Sequence, residues 1–545
     1  MRGTKILLFL VAGALSLSSY AGVNLKNGNF YISYSDIVGF DLKRTYNSKS
    51  TSVGWYGFGW GTVYETKLVP SADGCVVIHE YGAGGKTRFC PKNSVDADAA
   101  AKKIVEVMRK KNKLPASSVK PLLKRLKNNA ELRHAYAQNF NVKTKIAAGS
   151  ELYSNQRGIQ KVVVQKTGYK RISNDGKEEH FDKAGNLTKV KTKGNYTVEL
   201  VYNKNKLKSI KDSKGAQVYF DWYSNGKRIK HLWTTGEKKA TFKYDGENLV
   251  YSKDIQGNEY EYRYDTNHNM VRVVYNPSRK KGEPEDFMKM DYEDKTFFVS
   301  EIKDRNGDVT KYKYGSNPKK PNDHYWTEVT KTGFNGKPVT NKYEYEIKTK
   351  PDGARYTYRI ATKINGIKTE TIYSECCGLP LKIARGKHVT NFEYNDDGLL
   401  TKKTSTKGDF VQIEYDKKHK KIKKVTNAKG WTKFAYNDQG NLERAVNSAG
   451  KAVLLIYNSK EKISKMVDKD KKTKKVRTLS FEYNALDKPE VIKMDKVGQI
   501  RVTYDNYGDI KRVESKAGHK MAMQVTQAFQ NLLAIVKPAG VNLNM

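Results

Sequence analysis

The chain has 545 residues, of which 38% are hydrophobic and 11% aromatic, and its formal net charge is +43. The length supplies core for several domains, and the hydrophobic share is low for a packed globule. The 36 tyrosines suit strands with one tyrosine-rich and one lysine-rich face, and the charge repels cations while attracting polyanions.

The first element is a leader. Arg2 and Lys5 precede an apolar run from Ile6 to Leu17, and Ser19-Tyr20-Ala21 offers a small-x-small cleavage site. Residues 1–21 therefore read as a secretory signal peptide, too short for a membrane span. No later stretch is apolar enough to cross a bilayer. The expected location is beyond the inner membrane: periplasmic, outer surface or secreted.

Residues 22–95 read as a β domain of short strands with glycine punctuation and buried aromatics. Cys75 and Cys90 bracket "VVIHEYGAGGKTRF", a hairpin whose turn falls at Gly82 to Lys86. Their symmetric placement predicts a cross-strand disulfide in an oxidising compartment.

Residues 96–140 read as a helical insertion. Ala101, Ile104, Val107 and Met108 form one apolar stripe; Leu122, Leu126, Leu132, Ala135 and Tyr136 suggest another. Lysine and arginine fill the other faces. The readings are a helical pair packed on a sheet edge, or a basic contact with a membrane surface or partner. Pro115 and Pro121 cut the segment into short pieces and favour the first.

Residues 141–518 carry a repeat. Aromatic anchors precede turns at Phe181, Tyr202, Tyr223, Tyr244, Tyr264, Tyr292, Tyr314, Tyr373, Tyr394, Tyr415, Tyr436, Tyr457, Tyr483 and Tyr504. From Tyr394 to Tyr457 the interval is 21 residues each time, too short for two helices and right for a hairpin. Asn or Asp often follows the anchor, as in Tyr264-Asp265 and Tyr415-Asp416, and Gly185, Gly398, Gly440 and Gly508 supply the turn. An aliphatic residue then opens the second strand: Leu187, Leu207, Ile229, Leu249, Leu399, Ile422, Leu442, Ile463 or Ile510. One hairpin is marginal alone, so neighbours must stack over the anchors, which, Tyr292 and Tyr314 aside, are the predicted repeat core. The lysines are spread along the strands, and solvation of outward positions explains them as well as ligand binding does.

Cys376 and Cys377 occupy a hairpin turn after Tyr373. A vicinal disulfide stiffening that turn is expected; a redox or metal contact with Glu375 is the alternative. Nine scattered histidines and the absence of nucleophile, zinc or phosphate-loop motifs predict no catalytic centre, metal or cofactor. Residues 519–545 read as a cap or tail, with Val525, Phe529, Leu532 and Val536 on one face of a short helix.

The repeat text "FDKAGNLTKV", "YNDDGLLTKK", "YNDQGNLERA" and "YDNYGDIKRV" resembles the RHS/YD-repeat family. Asn27-Gly28-Asn29, Arg44-x-Tyr46-Asn47-Ser48 and Gly57-x-Gly59-Trp60 resemble the domain that precedes such repeats. The resemblance implies a mainly β fold, an array of hairpins forming a spiralling sheet or partial shell. Family members include surface proteins, adhesion proteins and toxins that enclose a C-terminal toxic domain and release it at a DPxG-type site. This chain has no Asp-Pro dipeptide, and the 27 residues after Gly518 are too few for a toxin. The expected function is non-enzymatic: a structural or binding module for an anionic envelope polymer, a glycan or a protein, with nucleic acid not expected. A carrier shell or remnant of a toxin system, its cargo encoded separately, is the alternative.

Overall fold

The computed structural model describes residues 20–525, apart from 38–39, 82–83, 93–94, 112, 155–159, 174–175, 193–195, 204–205, 237, 279–282, 333–335, 376–377, 485–487, 495–496, 505–509, 516–517, 519–520 and 522. The leader up to residue 19, Cys376, Cys377, Gly508, Phe529, Leu532 and Val536 lie outside the described residues.

The fold is mainly β, as expected. An open antiparallel sheet of 33 strands runs from Glu151–Ser154 to Ile510–Ser515, each strand bonded to its neighbour in sequence. The described chain divides into two compact units, one ending at Val389 and the other beginning at Thr390. Ahead of the long sheet, residues 20–89 make small sheets. Tyr20–Asn24, Asn29–Ser35, Lys43–Asn47 and Trp60–Thr62 form one; Lys67–Pro70, Val76–His79 and Lys86–Phe89 form another. Cys75 and Cys90 are disulfide-bonded, with Cα atoms 4.3 Å apart.

The repeat has a physical logic that spacing alone hides. At the anchors Phe181, Tyr264, Tyr394, Tyr436 and Tyr504 the ladder slips by one residue, a β-bulge. The residue facing the anchor opens the second strand: Met270 faces Tyr264, and Leu442 faces Tyr436. The N–H and C=O of one strand residue point to the same side. Those of the opener point away from its own hairpin, yet the next ladder starts two residues later. It begins at Tyr251 after opener Leu249, at Lys402 after Leu400 and at Arg444 after Leu442. The opener's carbonyl would be orphaned. The next anchor supplies the missing donor: Tyr264 donates its hydroxyl to Leu249 O at 2.8 Å, Tyr415 to Leu400 O at 2.8 Å, and Tyr457 to Leu442 O at 2.7 Å. This bond explains a tyrosine at the anchor rather than phenylalanine.

The turn residues act as read. Asn437 accepts the Asn441 N–H at 2.8 Å on its side chain, and Gly440 takes a φ of +80°.

Three readings are corrected. Trp222, not Tyr223, is the anchor of its repeat; it sits at the bulge opposite Ile229, and its indole N–H donates to Leu207 O at 2.8 Å. Tyr314 caps its opener, donating to Val299 O at 2.8 Å, but lies in a regular ladder opposite Thr327 rather than at a bulge before a turn. It introduces the long strands His324–Thr332, Pro338–Thr349 and Arg355–Ile364, which break the 21-residue phase. The opener after Tyr394 is Leu400 rather than Leu399.

The insertion forms three helices, α1 (Ala97–Lys110), α2 (Val119–Asn128) and α3 (Ala130–Asn139). Ala101, Ile104, Met108, Leu122 and Leu126 share one core, as their spacing predicted. Pro121 does not break its helix: it lies in the first turn of α2, where an N–H has no intrahelical partner to lose. On α3 the buried face is Ala130, Arg133, His134 and Ala137; Leu132, Ala135 and Tyr136 are half-buried. Among the described residues no helix is long and apolar enough to cross a membrane.

Candidate functional site

The first repeats hold residues 25–68 along their row of turns. The main chain of Leu68 donates to Gly185 O at 2.9 Å, and Phe58 donates to Glu247 O at 2.8 Å. Opener N–H groups are taken as well. Ile229 donates to Trp55 O at 3.0 Å and Val299 to Gly28 O at 3.0 Å, while Met270 donates to the Tyr46 hydroxyl at 3.0 Å. That hydroxyl in turn donates to His268 O at 2.9 Å. Further along, Thr327 donates its hydroxyl to Leu25 O at 2.6 Å. Each opener here thus has its carbonyl filled by a neighbouring tyrosine and its N–H filled by the N-terminal region.

This close approach explains the glycines of the N-terminal motifs. A Cβ at Gly57 would lie 2.5 Å from Glu247 O, and one at Gly28 would lie 2.4 Å from the Phe298 ring. Trp60 donates its indole N–H to the Tyr264 hydroxyl at 3.0 Å. Asn29 bonds Asn47 at 3.0 Å, and the Phe30 N–H donates to Ser48 Oγ at 2.9 Å, so the motif asparagines and serine hold their own strands together.

Arg44 is the centre of the junction. It is fully buried, donates to Asp36 at 2.8 Å, Ser252 at 2.8 Å and Tyr262 at 3.0 Å, and lies over the Tyr34 and Trp60 rings. Asp36 Oδ1 and Arg44 Nη1 have no partner among the described residues. Two more buried ion groups tie distant segments. Arg171 bridges Glu80 and Glu179, and Asp73 is shared by Arg88 and Arg133. Arg88 also pairs with Asp352. Burial raises the Glu65 carboxyl to about 8 although the Trp55 and Thr62 N–H groups donate to it at 2.6 and 3.0 Å.

Two histidines meet between the disulfide hairpin and α3. His79 Nε2 and His134 Nε2 are 3.4 Å apart. Burial lowers His79 to about 4, helped by Lys86 and Lys67, and lowers His134 to about 3, helped by His79.

One trio of ligand-type side chains comes together among the described residues: His324, Glu344 and Glu346, within 4.8 Å of one another. A guanidinium already fills this cluster. Arg359 donates to Glu344 at 3.2 Å, to Glu346 at 2.7 Å and to Glu370 at 2.7 Å. It behaves as a satisfied ion network on a strand face. The predicted repeat-core tyrosines are half-buried; the hydroxyls of Tyr202, Tyr244, Tyr264, Tyr415, Tyr436, Tyr457, Tyr483 and Tyr504 are committed to openers, whereas Tyr223 donates to Phe242 O, and burial holds Tyr415 and Tyr436 up at about 12. Sequence reasoning missed the anchoring indole of Trp222, the Arg44 centre and the histidine pair; the Arg44-x-Tyr46 motif was the available signal for the second.

Residues 21–89 match the model of a domain of unknown function, DUF6531. No curated protein matches the chain. Among solved structures, the complex TcdB2-TccC3-Cdc42 aligns at 8% identity with a TM-score of 0.39, over 94% of this chain and 30% of that one. TcdB2-TccC3 without its hypervariable C-terminal region aligns at 9% identity with a TM-score of 0.39, over 89% of this chain and 28% of that one. The chain thus spans less than a third of the length of these structures.

Proposed function

We propose that the chain is an exported, non-enzymatic scaffold of the RHS/YD-repeat type that binds at the cell envelope, with an anionic envelope polymer or glycan as its ligand. The observation that carries this reading is how the polar groups are used. Tyrosine hydroxyls cap openers, turn carboxylates and amides hold turns, and the buried arginines join the N-terminal region to the repeats. Such a framework leaves function to its surface, and that surface carries most of the charge of a chain whose formal net charge is +43. The DUF6531 domain placed ahead of the repeats, in the order that the family resemblance implies, supports the same reading.

The test is binding of the full chain to immobilised lipopolysaccharide or a sulfated polysaccharide against a neutral glucan, at rising salt, with fractionation of native cells alongside. Anionic polymers should retain the protein and release it as salt screens the charges. Equal retention on the neutral glucan, or a cytoplasmic location, would reject the proposal.

A further inference from the structure

The openers divide into two sets. Leu187, Leu207, Ile229, Leu249, Met270 and Val299 are at most 2% exposed. Leu400, Ile422, Leu442 and Ile463, in the unit beginning at Thr390, are only half-buried and pack along the margin of that unit's core. Their backbone geometry is the same, because each faces its anchor across a bulge. Their carbonyls are likewise filled: Tyr436 donates to Ile422 O at 2.7 Å and Tyr483 to Ile463 O at 2.9 Å. Among the described residues no group outside the hairpins accepts from the N–H of these four. Pro380 and Pro489 stand at the same position in their own repeats. Proline has no N–H, so the position makes no demand on that donor from within the hairpin.

We propose that Leu400, Ile422, Leu442 and Ile463 form a docking edge for a glycine-punctuated polypeptide segment of a partner, received as the earlier openers receive the strands and turns of residues 25–68. The edge offers one main-chain donor and one aliphatic side chain per hairpin, a repeat of about 9–10 Å across two strands. Main-chain acceptors give affinity to such an edge, and side-chain fit gives specificity. Three lysines of the turn between Tyr415 and Ile422 are engaged locally, which weakens their pull on a polyanion here. Lys418 pairs with Asp438 at 2.7 Å, Lys420 pairs with Asp397, and Lys421 donates to Gly440 O. The known occupant of the equivalent donors is polypeptide: carbonyls of Trp55 and Gly28 and the hydroxyl of Tyr46.

The test uses the full chain, amide exchange, and a synthetic peptide of residues 44–62 as probe. Without peptide, the N–H groups of Leu400, Ile422, Leu442 and Ile463 should exchange far faster than those of Ile229, Met270 and Val299. Saturating peptide should slow the four by about tenfold, and the Ile422→Pro/Leu442→Pro double variant should bind it about tenfold more weakly. The prolines at 380 and 489 indicate that this variant folds; Ile463→Pro alone serves if it does not. A peptide with Gly57 and Gly59 replaced by alanine should bind more weakly than the natural one. Slow exchange at the four without peptide overturns the proposal, as does no protection by the peptide or undiminished binding in the proline variants. Protection by a sulfated polysaccharide in place of the peptide makes the edge an anion site and equally overturns it. Binding of polysaccharide elsewhere leaves the four amides untouched, so failure here is distinct from failure of the envelope-polymer reading.

Discussion

Mild acid should loosen the contact between the disulfide hairpin and α3. The two imidazoles meet at 3.4 Å, and both are held neutral in the fold, His79 at about 4 and His134 at about 3. The ordinary value of histidine is about 6.5. A folded pKa below the unfolded one means that the unfolded chain takes up protons first. The stability these groups contribute is therefore complete above pH 6.5 and is lost as the pH falls from there toward 4. Lys67 and Lys86 face His79 across the ladder, and Asp73, which favours a charge on His134, is already shared by Arg88 and Arg133. Each pH unit is worth about 1.4 kcal/mol per group. Halving the sum for partial solvent access leaves about 2 kcal/mol lost by pH 5. Glu65 works in the opposite sense. Its pKa is raised to about 8, so its share is complete below the unfolded value and lost as the pH rises through 8. The assay is therefore a difference: thermal melts of the wild type and of the His79→Gln/His134→Gln variant at pH 7 and pH 5. The wild type should lose more stability on acidification than the variant, and exchange in residues 76–89 and 130–139 should rise with it. Equal losses in the two proteins would refute the reasoning.

Tyr436→Phe should cost about 1 kcal/mol, because it strands the Ile422 carbonyl, and Tyr436→Ala about 2–4 kcal/mol, less than a fully buried aromatic; chemical denaturation followed by exchange in residues 410–447 measures both. Lys421, which reads as a solvated turn lysine, donates to Gly440 O and lies 5.3 Å over the Tyr436 ring. A double-mutant cycle of Lys421→Ala with Tyr436→Ala should give about 0.5–1 kcal/mol of coupling. Reduction of Cys75–Cys90 should cost about 3 kcal/mol for its separation of 15 residues, read as a lower melting temperature under reducing conditions. Arg44→Met should cost about 3–5 kcal/mol by leaving Asp36 buried without its ion partner, and Asp36→Asn in the same chain should recover part of that loss in denaturant titrations.

The hairpins between Tyr394 and Tyr457 were legible because one interval combined an aromatic, an Asx turn and an aliphatic opener, and local rules fix all three. Legibility failed where a chemical role passed to another residue type. Trp222 replaces a hydroxyl with an indole N–H, and counting tyrosines selects its neighbour Tyr223. It failed on α3 for a related reason. Apolar periodicity sees Leu132 and Tyr136, whereas the buried face is chosen by the ion partner of Arg133, Asp73, some 60 residues away. The junction was half-legible: its glycines and Arg44 stood out as motifs, but their purpose depends on openers about 200 residues later. The prolines carried a clue of a different kind. Pro380 and Pro489 sit where other repeats have leucine or isoleucine, inside what reads as a strand. A strand interior tolerates proline when its N–H faces away from the ladder. Those two residues therefore already imply that every opener turns its N–H outward. In Ile229, Met270 and Val299 that donor is spent on the N-terminal region, and proline there would break a bond that holds the two together. Ile422 and Leu442 spend it on nothing within their hairpins, so proline should cost little at these two positions and much at the other three.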